Sequence, residues 1–115
     1  MALDEERHCV FVGCRKPPAM IVLDSDSGKE IATVAIDGDA DDVFLDAKRR
    51  RIYISCGAGF LDVVDSASFK LLEKVPTASG ARTSLFVPEL DRLYLAVPHH
   101  GKHQAELRMY QPTGN

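Results

Sequence analysis

Tryptophan is absent and aromatic residues make up only 7% of the chain, so no obvious platform for stacking nucleic-acid bases is encoded. Positive charge is not in surplus either. The net charge is -3, whereas neutralising a phosphate backbone needs an excess of Lys and Arg. The densest basic run, Lys48-Arg49-Arg50-Arg51, lies between two strand-like segments and reads as a solvated hairpin turn. No nucleic-acid partner is expected. No apolar run approaches the roughly 20 residues that span a bilayer as a helix, so no membrane insertion is expected.

Cysteine is scarce too. Cys9, Cys14 and Cys56 cannot all pair within one chain, and no C-x-x-C spacing is present, which removes the usual zinc patterns. Small buried thiols are the expectation, and the odd count favours a reducing compartment. The stretch Met1-Ala2-Leu3-Asp4-Glu5-Glu6-Arg7 is acidic and lacks the basic-then-apolar layout of a signal peptide. The compartment stays open: either the chain is intracellular or an export signal lies outside this sequence.

What the sequence does contain is a repeat of about 42 residues. Val10-Phe11-Val12-Gly13-Cys14, Ile52-Tyr53-Ile54-Ser55-Cys56 and Leu93-Tyr94-Leu95-Ala96-Val97 are matching apolar runs, with central aromatics 42 and 41 residues apart. Each of the first two is followed by a second run closing on an aspartate, Asp24 and Asp65, at the head of a Ser-rich turn. Asp and Ser suit such turns because their side chains accept bonds from backbone N–H groups. Leu107–Gly114 is a weaker third copy. Glu30–Ile36 and Leu71–Val75 alternate as half-exposed outer strands do, and the second of these strands is expected to span Phe69–Val75. A fourth match sets Gly38–Leu45 against Gly80–Val87, with Phe44 and Phe86 at the same 42-residue spacing.

Gly, Pro, Asp and Ser fall between the runs and no 3.6-residue period competes, so the chain is expected to be all-β. A lone four-stranded sheet of this repeat has two apolar faces. Stacking such sheets as blades around an axis hides both. The expected fold is therefore a partial β-propeller of about two and three-quarter four-stranded antiparallel blades. The blades are expected at 1–36, 38–75 and 80–115, the last lacking its outer strand.

The segments Ile52–Cys56, Leu61-Asp62-Val63-Val64-Asp65 and Val34-Ala35-Ile36-Asp37-Gly38 resemble the repeats of YVTN-type bacterial β-propellers. There, a Tyr-Val-Thr-Asn-like strand precedes a Val-Ile-Asp-Thr-like strand and an outer strand ending in Val-Gly. Phe11–Pro17 and Gly80–Leu90 resemble the C-terminal portion of such proteins, some of them surface-antigen-like. The resemblance leaves room for full-length relatives to be exported to the periplasm or cell surface. Asp41 and Thr83 stand where the family usually carries a proline.

The resemblance implies a fold and leaves activity open. Loops entering the inner strands form the mouth of a propeller channel, which places Asp39, Asp41 and Asp42 in one blade near Arg82, Thr83 and Ser84 in the next. These are the candidate ligand-binding residues. Arg82 would recognise an anion, or Asp41 and Asp42 a cation; the structural alternative is an inter-blade salt bridge with turn-forming aspartates. His99, His100 and His103 lie in a long Gly-containing hairpin that is expected to be solvated. Arg15 and Lys16 form another basic hairpin tip. Ser84 has no histidine near it in sequence, and Gly57-Ala58-Gly59 joins two strands rather than a strand and a helix. No catalytic residue, metal or cofactor is expected. The function expected is a non-catalytic interaction or ligand-binding scaffold that takes a protein or a small anionic ligand. It is also expected to self-associate as a homo-oligomer through open blade faces and strand edges. The alternative is part of a propeller enzyme, a lactonase-like hydrolase or quinone-dependent dehydrogenase with a metal or cofactor at the channel mouth.

Overall fold

The computed structural model describes residues 1–114. Eleven strands make three antiparallel sheets. Sheet 1 contains β1 (Ala2–Asp4), β2 (Cys9–Arg15), β3 (Pro18–Asp24) and β4 (Glu30–Ala35), paired in that order. Sheet 2 repeats the plan with β5 (Ala40–Asp46), β6 (Arg51–Cys56), β7 (Phe60–Asp65) and β8 (Leu71–Pro76). Sheet 3 has β9 (Thr83–Val87), β10 (Arg92–Val97) and β11 (Glu106–Tyr110), with one turn of 3-10 helix at Pro88–Leu90 between the first two. Among the described residues no helix is long and apolar enough to cross a membrane.

The sheets stack through their apolar faces. Phe11, Met20 and Val22 of sheet 1 pack on Val43, Ile52, Ile54 and Val64 of sheet 2. Tyr53, Leu61 and Val63, on the other face of sheet 2, pack on Phe86 and Leu93 of sheet 3. The rings of Tyr53 and Phe86 meet edge to face at 5.2 Å, a favoured aromatic geometry. A sheet buried on both faces needs apolar residues at every position. This explains why β6 is buried along almost its whole length.

The aspartates closing β3 and β7 do what their residue type suits. Asp24 Oδ1 accepts the backbone N–H groups of Asp26 and Ser27 at 2.8 and 2.9 Å, and Asp65 Oδ1 those of Ala67 and Ser68, both at 2.8 Å. Those bonds favour the charged form and hold both carboxyls below the usual range. The turns between the first two strands of each sheet repeat as well: His8, Arg50 and Asp91 are all left-handed, at φ of 55°, 57° and 57°.

Two sequence readings need correction. Phe44 pairs across the sheet with Tyr53, whereas Phe86 pairs with Leu93, and Leu85 with Tyr94. Leu85 is thus the counterpart of Phe44; the 42-residue match slips by one, and one residue moves a side chain to the other face. Phe69, expected to begin an outer strand, instead stands in the preceding turn at φ 62°, where the first repeat has Gly28 at φ 75°. A bulky residue rarely tolerates that conformation. Here its ring packs against the core between sheets 1 and 2, edge-on to Phe11 with centroids 6.4 Å apart.

Candidate functional site at the rim of the inner strands

The loops at one end of the sheets are stitched together by backbone bonds. Gly57 N–H donates to Asp39 O at 2.8 Å, Ala58 N–H to Gly38 O at 3.1 Å, and Gly80 N–H to Gly57 O at 2.7 Å. The β4–β5 loop, the β6–β7 turn and the β8–β9 loop therefore form one rim. A side chain on Gly57 would meet the Asp39 carboxylate, which would have to turn away from its present place.

Most of the expected site residues meet on this rim. Arg82 Nη1 lies 3.2 Å from Asp39 Oδ2, and Asp42 Oδ2 accepts the Ser84 N–H at 2.8 Å. The Ser84 and Ser55 hydroxyls bond to each other across the two sheets. Asp41 turns the other way, 3.6 Å from Arg15 Nη2, while Arg15 Nε also approaches Asp39 and donates to Ala40 O at 3.2 Å. Thr83 is exposed and pairs across β9–β10 with Ala96. Arg15, read as a basic turn, is in fact the cation that joins sheet 1 to the acidic loop of sheet 2. Asp39 sits between two arginines, one from each neighbouring sheet. The chains of charge are half exposed, a setting in which ion pairs add little stability.

Beneath the rim lies a group that sequence reading missed. Asp62, in the apolar run of β7, is fully buried, and its Oδ2 accepts the Asp37 N–H at 2.8 Å. Its Oδ1 and the Oδ2 of Asp37 are both buried without another partner. Lys74 Nζ reaches the remaining Asp37 oxygen at 3.2 Å. Burial, then a hydrogen bond with the Asp37 carboxyl, pushes the Asp62 carboxyl up to about 6. The same environment, burial first and then the Asp62 charge, raises the Cys56 thiol to about 12. Cys56 and Cys9 are buried and Cys14 half-buried, all as free thiols. A charged residue inside an apolar strand was the visible signal for Asp62.

A second polar cluster occupies the opposite end. Arg49 is buried and forks onto Asp91, at 2.5 and 2.6 Å, while its Nη1 also reaches Asp46 at 3.2 Å. Asp46, itself 3% exposed, accepts the Tyr53 hydroxyl at 2.6 Å. This corrects the reading of residues 48–51 as simply solvated: Arg49 is the ionic latch between sheets 2 and 3, and Arg51 donates to Thr113 O at 2.7 Å. The Arg49 bonds hold the Asp91 carboxyl below its usual range. His99, His100 and His103 are exposed in the β10–β11 hairpin, where His100 and His103 exchange backbone bonds of 3.0 and 2.9 Å.

No protein-family model matches the chain, and neither does any curated protein sequence. A solved structure does. The chain superposes on Kuenenia stuttgartiensis hydrazine synthase with a TM-score of 0.86 over 96% of its own length, at 15% identity. This is a run of β-propeller blades. The chain spans about a third of the hydrazine synthase chain, 32%, and at that identity the likeness concerns the fold alone.

Proposed function

We propose that this β-propeller segment, of the YVTN type suggested by its repeats, is a non-catalytic interaction scaffold. In this reading it meets further copies of itself through the apolar faces of its terminal sheets. Its rim residues Asp39, Asp41, Asp42, Arg82, Thr83 and Ser84 offer a polar contact surface to a protein or a small anion.

The observation that carries the reading is the far face of sheet 3. Leu85 and Met109 flank Tyr94 across the sheet, and Leu107 pairs with Ala96 beside them; Leu85, Leu107 and Met109 are 55%, 69% and 59% exposed. Isolated exposed apolar residues need no explanation, but a contiguous face of them favours association. Sheet 1 offers a complementary surface, since Leu3, Val10 and Leu23 line up across its strands, with Val12 and Ile21 alongside. Joining the far face of sheet 3 to that of sheet 1 in a second copy would repeat the junctions already made on either side of sheet 2. Such contacts are head-to-tail, and they close as a ring when the rotation permits.

Light scattering tests this directly. The chain is expected to give a mass above 12.6 kDa that rises with concentration. The double variant Leu107→Asp, Met109→Lys is expected to shift it to the monomer without loss of β circular dichroism. A monodisperse wild-type monomer at low micromolar concentration would falsify the reading.

A further inference from the structure

The turns between the second and third strands of each sheet are unequal in length. Residues 16–17 join β2 to β3 and residues 57–59 join β6 to β7, whereas residues 98–105 join β10 to β11. Sheets 1 and 2 fold without such an extension, so the packing does not require it. Lengthened loops on a rigid scaffold are where binding residues gather. Histidine is concentrated in this one: His99, His100 and His103 are three of the four in the chain.

The loop is ordered by a backbone bridge beyond the end of the sheet. Val97 and Glu106 are the last partners of β10 and β11. Pro98, which has no N–H to donate, interrupts the ladder. Pairing resumes in the same register at His100 and His103, which exchange both backbone bonds at 3.0 and 2.9 Å. Gly101 stands first in the two-residue turn between them, at φ 57°, where such a turn calls for a positive φ. Residues paired directly in this way carry their side chains on the same side, with Cβ atoms about 5 Å apart. His100 and His103, but not His99, line a recess of about 500 Å³ that they share with Thr77, Ala78 and Ser79 of the β8–β9 loop.

We propose that His100 and His103 chelate a divalent transition-metal ion, Zn²⁺, Ni²⁺ or Cu²⁺, through one imidazole nitrogen each. The paired backbone holds the two side chains together in advance, which lowers the ordering cost of binding. From Cβ atoms so spaced, two imidazoles reach a common ion at the bond length of about 2 Å that zinc takes to nitrogen. Imidazole selects these ions over Mg²⁺ and Ca²⁺, which prefer oxygen. The charged residues of the recess, Glu106 and Arg108, are bound to each other at 2.7 Å, so the arginine is neutralised by its own partner rather than set against the ion. Among the described residues no group of three or more His, Cys, Asp or Glu is placed to hold a metal. The ion therefore keeps open positions, taken by water or by a donor from a partner, unlike the closed set of a structural zinc site.

The probe is Zn²⁺, titrated into the full chain by isothermal calorimetry, with Mg²⁺ as the comparison ion. Saturation at one zinc per chain is expected, and no binding of Mg²⁺. His100→Ala and His103→Ala are each expected to weaken zinc binding at least about tenfold, because the remaining imidazole loses its chelating neighbour. His99→Ala and His8→Ala are expected to leave it unchanged. All four histidines are exposed, so these substitutions leave the fold intact. In the NMR spectrum the imidazole signals of His100 and His103 should move together. Equal binding is expected in the Leu107→Asp, Met109→Lys variant, which separates chelation within one chain from ions trapped between associated copies. No saturation at millimolar zinc, one ion per two chains, undiminished affinity in His103→Ala, or loss of binding in His99→Ala would overturn the proposal.

Discussion

Asp46→Ala is expected to lower the unfolding free energy by about 3 kcal/mol or more, because it breaks a buried pair and strands the remaining partner. Asp46 is 3% exposed and accepts from both the Tyr53 hydroxyl and the Arg49 guanidinium. With the carboxylate gone, the phenol has no acceptor and the arginine keeps Asp91 and the Gly114 carbonyl. A domain of this size is stabilised by roughly 5–15 kcal/mol in total, so the loss is a large share. Urea unfolding followed by circular dichroism measures it. Tyr53→Phe is the control: it removes one donor and leaves the ion pairs, so a loss of only about 1 kcal/mol is expected. Equal small effects from both substitutions would show that the latch contributes no more than a surface pair.

The second large effect concerns pH. The Asp62 carboxyl is raised to about 6 in the folded chain, against an unfolded value of about 3.9. Between those values the folded state holds a proton that the unfolded chain has released, so stability falls as pH rises through the window. The full loss is on the order of 3 kcal/mol, reached above pH 6. Asp24, Asp65 and Asp91 act in the opposite sense, since their lowered values give stability that is lost only as pH falls below about 4. Asp62→Asn supplies a permanent donor to the Asp37 carboxylate and keeps an oxygen for the Asp37 N–H. The variant is expected to show a flat urea midpoint from about pH 4.5 to 7 and to exceed the wild type at neutral pH. Parallel curves for the two proteins would remove Asp62 as the titrating group.

The strands were legible because the repeat, the turn residues and the alternation all pointed to the same boundaries. β6 ends with its run at Cys56, β7 closes on Asp65 at the turn, and β9 ends at Val87 as its segment does. Errors arose where spacing had to choose between 41 and 42 residues. Phe44 and Phe86 share a spacing but not a face, and only the cross-strand register separates them. At the rim, the approach of Asp39 to Arg82 followed from placing equivalent loops side by side. The same step would have exposed the latch, since Arg49 and Asp91 occupy the same turn one repeat apart. Arg49 was hidden by its neighbours: three other basic residues in a row describe a solvated turn, and nothing local says that one of the four points inward. Phe69 was misplaced for a related reason. An aromatic next to an outer strand looks like part of it, and a left-handed phenylalanine is a tertiary outcome that no local preference favours.

The stacked sheets are joined by unlike links. Sheets 1 and 2 are wedged by an aromatic ring, whose hold weakens on cooling, whereas sheets 2 and 3 share a charge latch and an incompletely filled seam. A polymer with unequal links opens at its weakest one. Sheet 3 is therefore the leaf that turns first, and its amides should exchange with solvent sooner than those of the sheet 1–sheet 2 pair, which would open later as a single body.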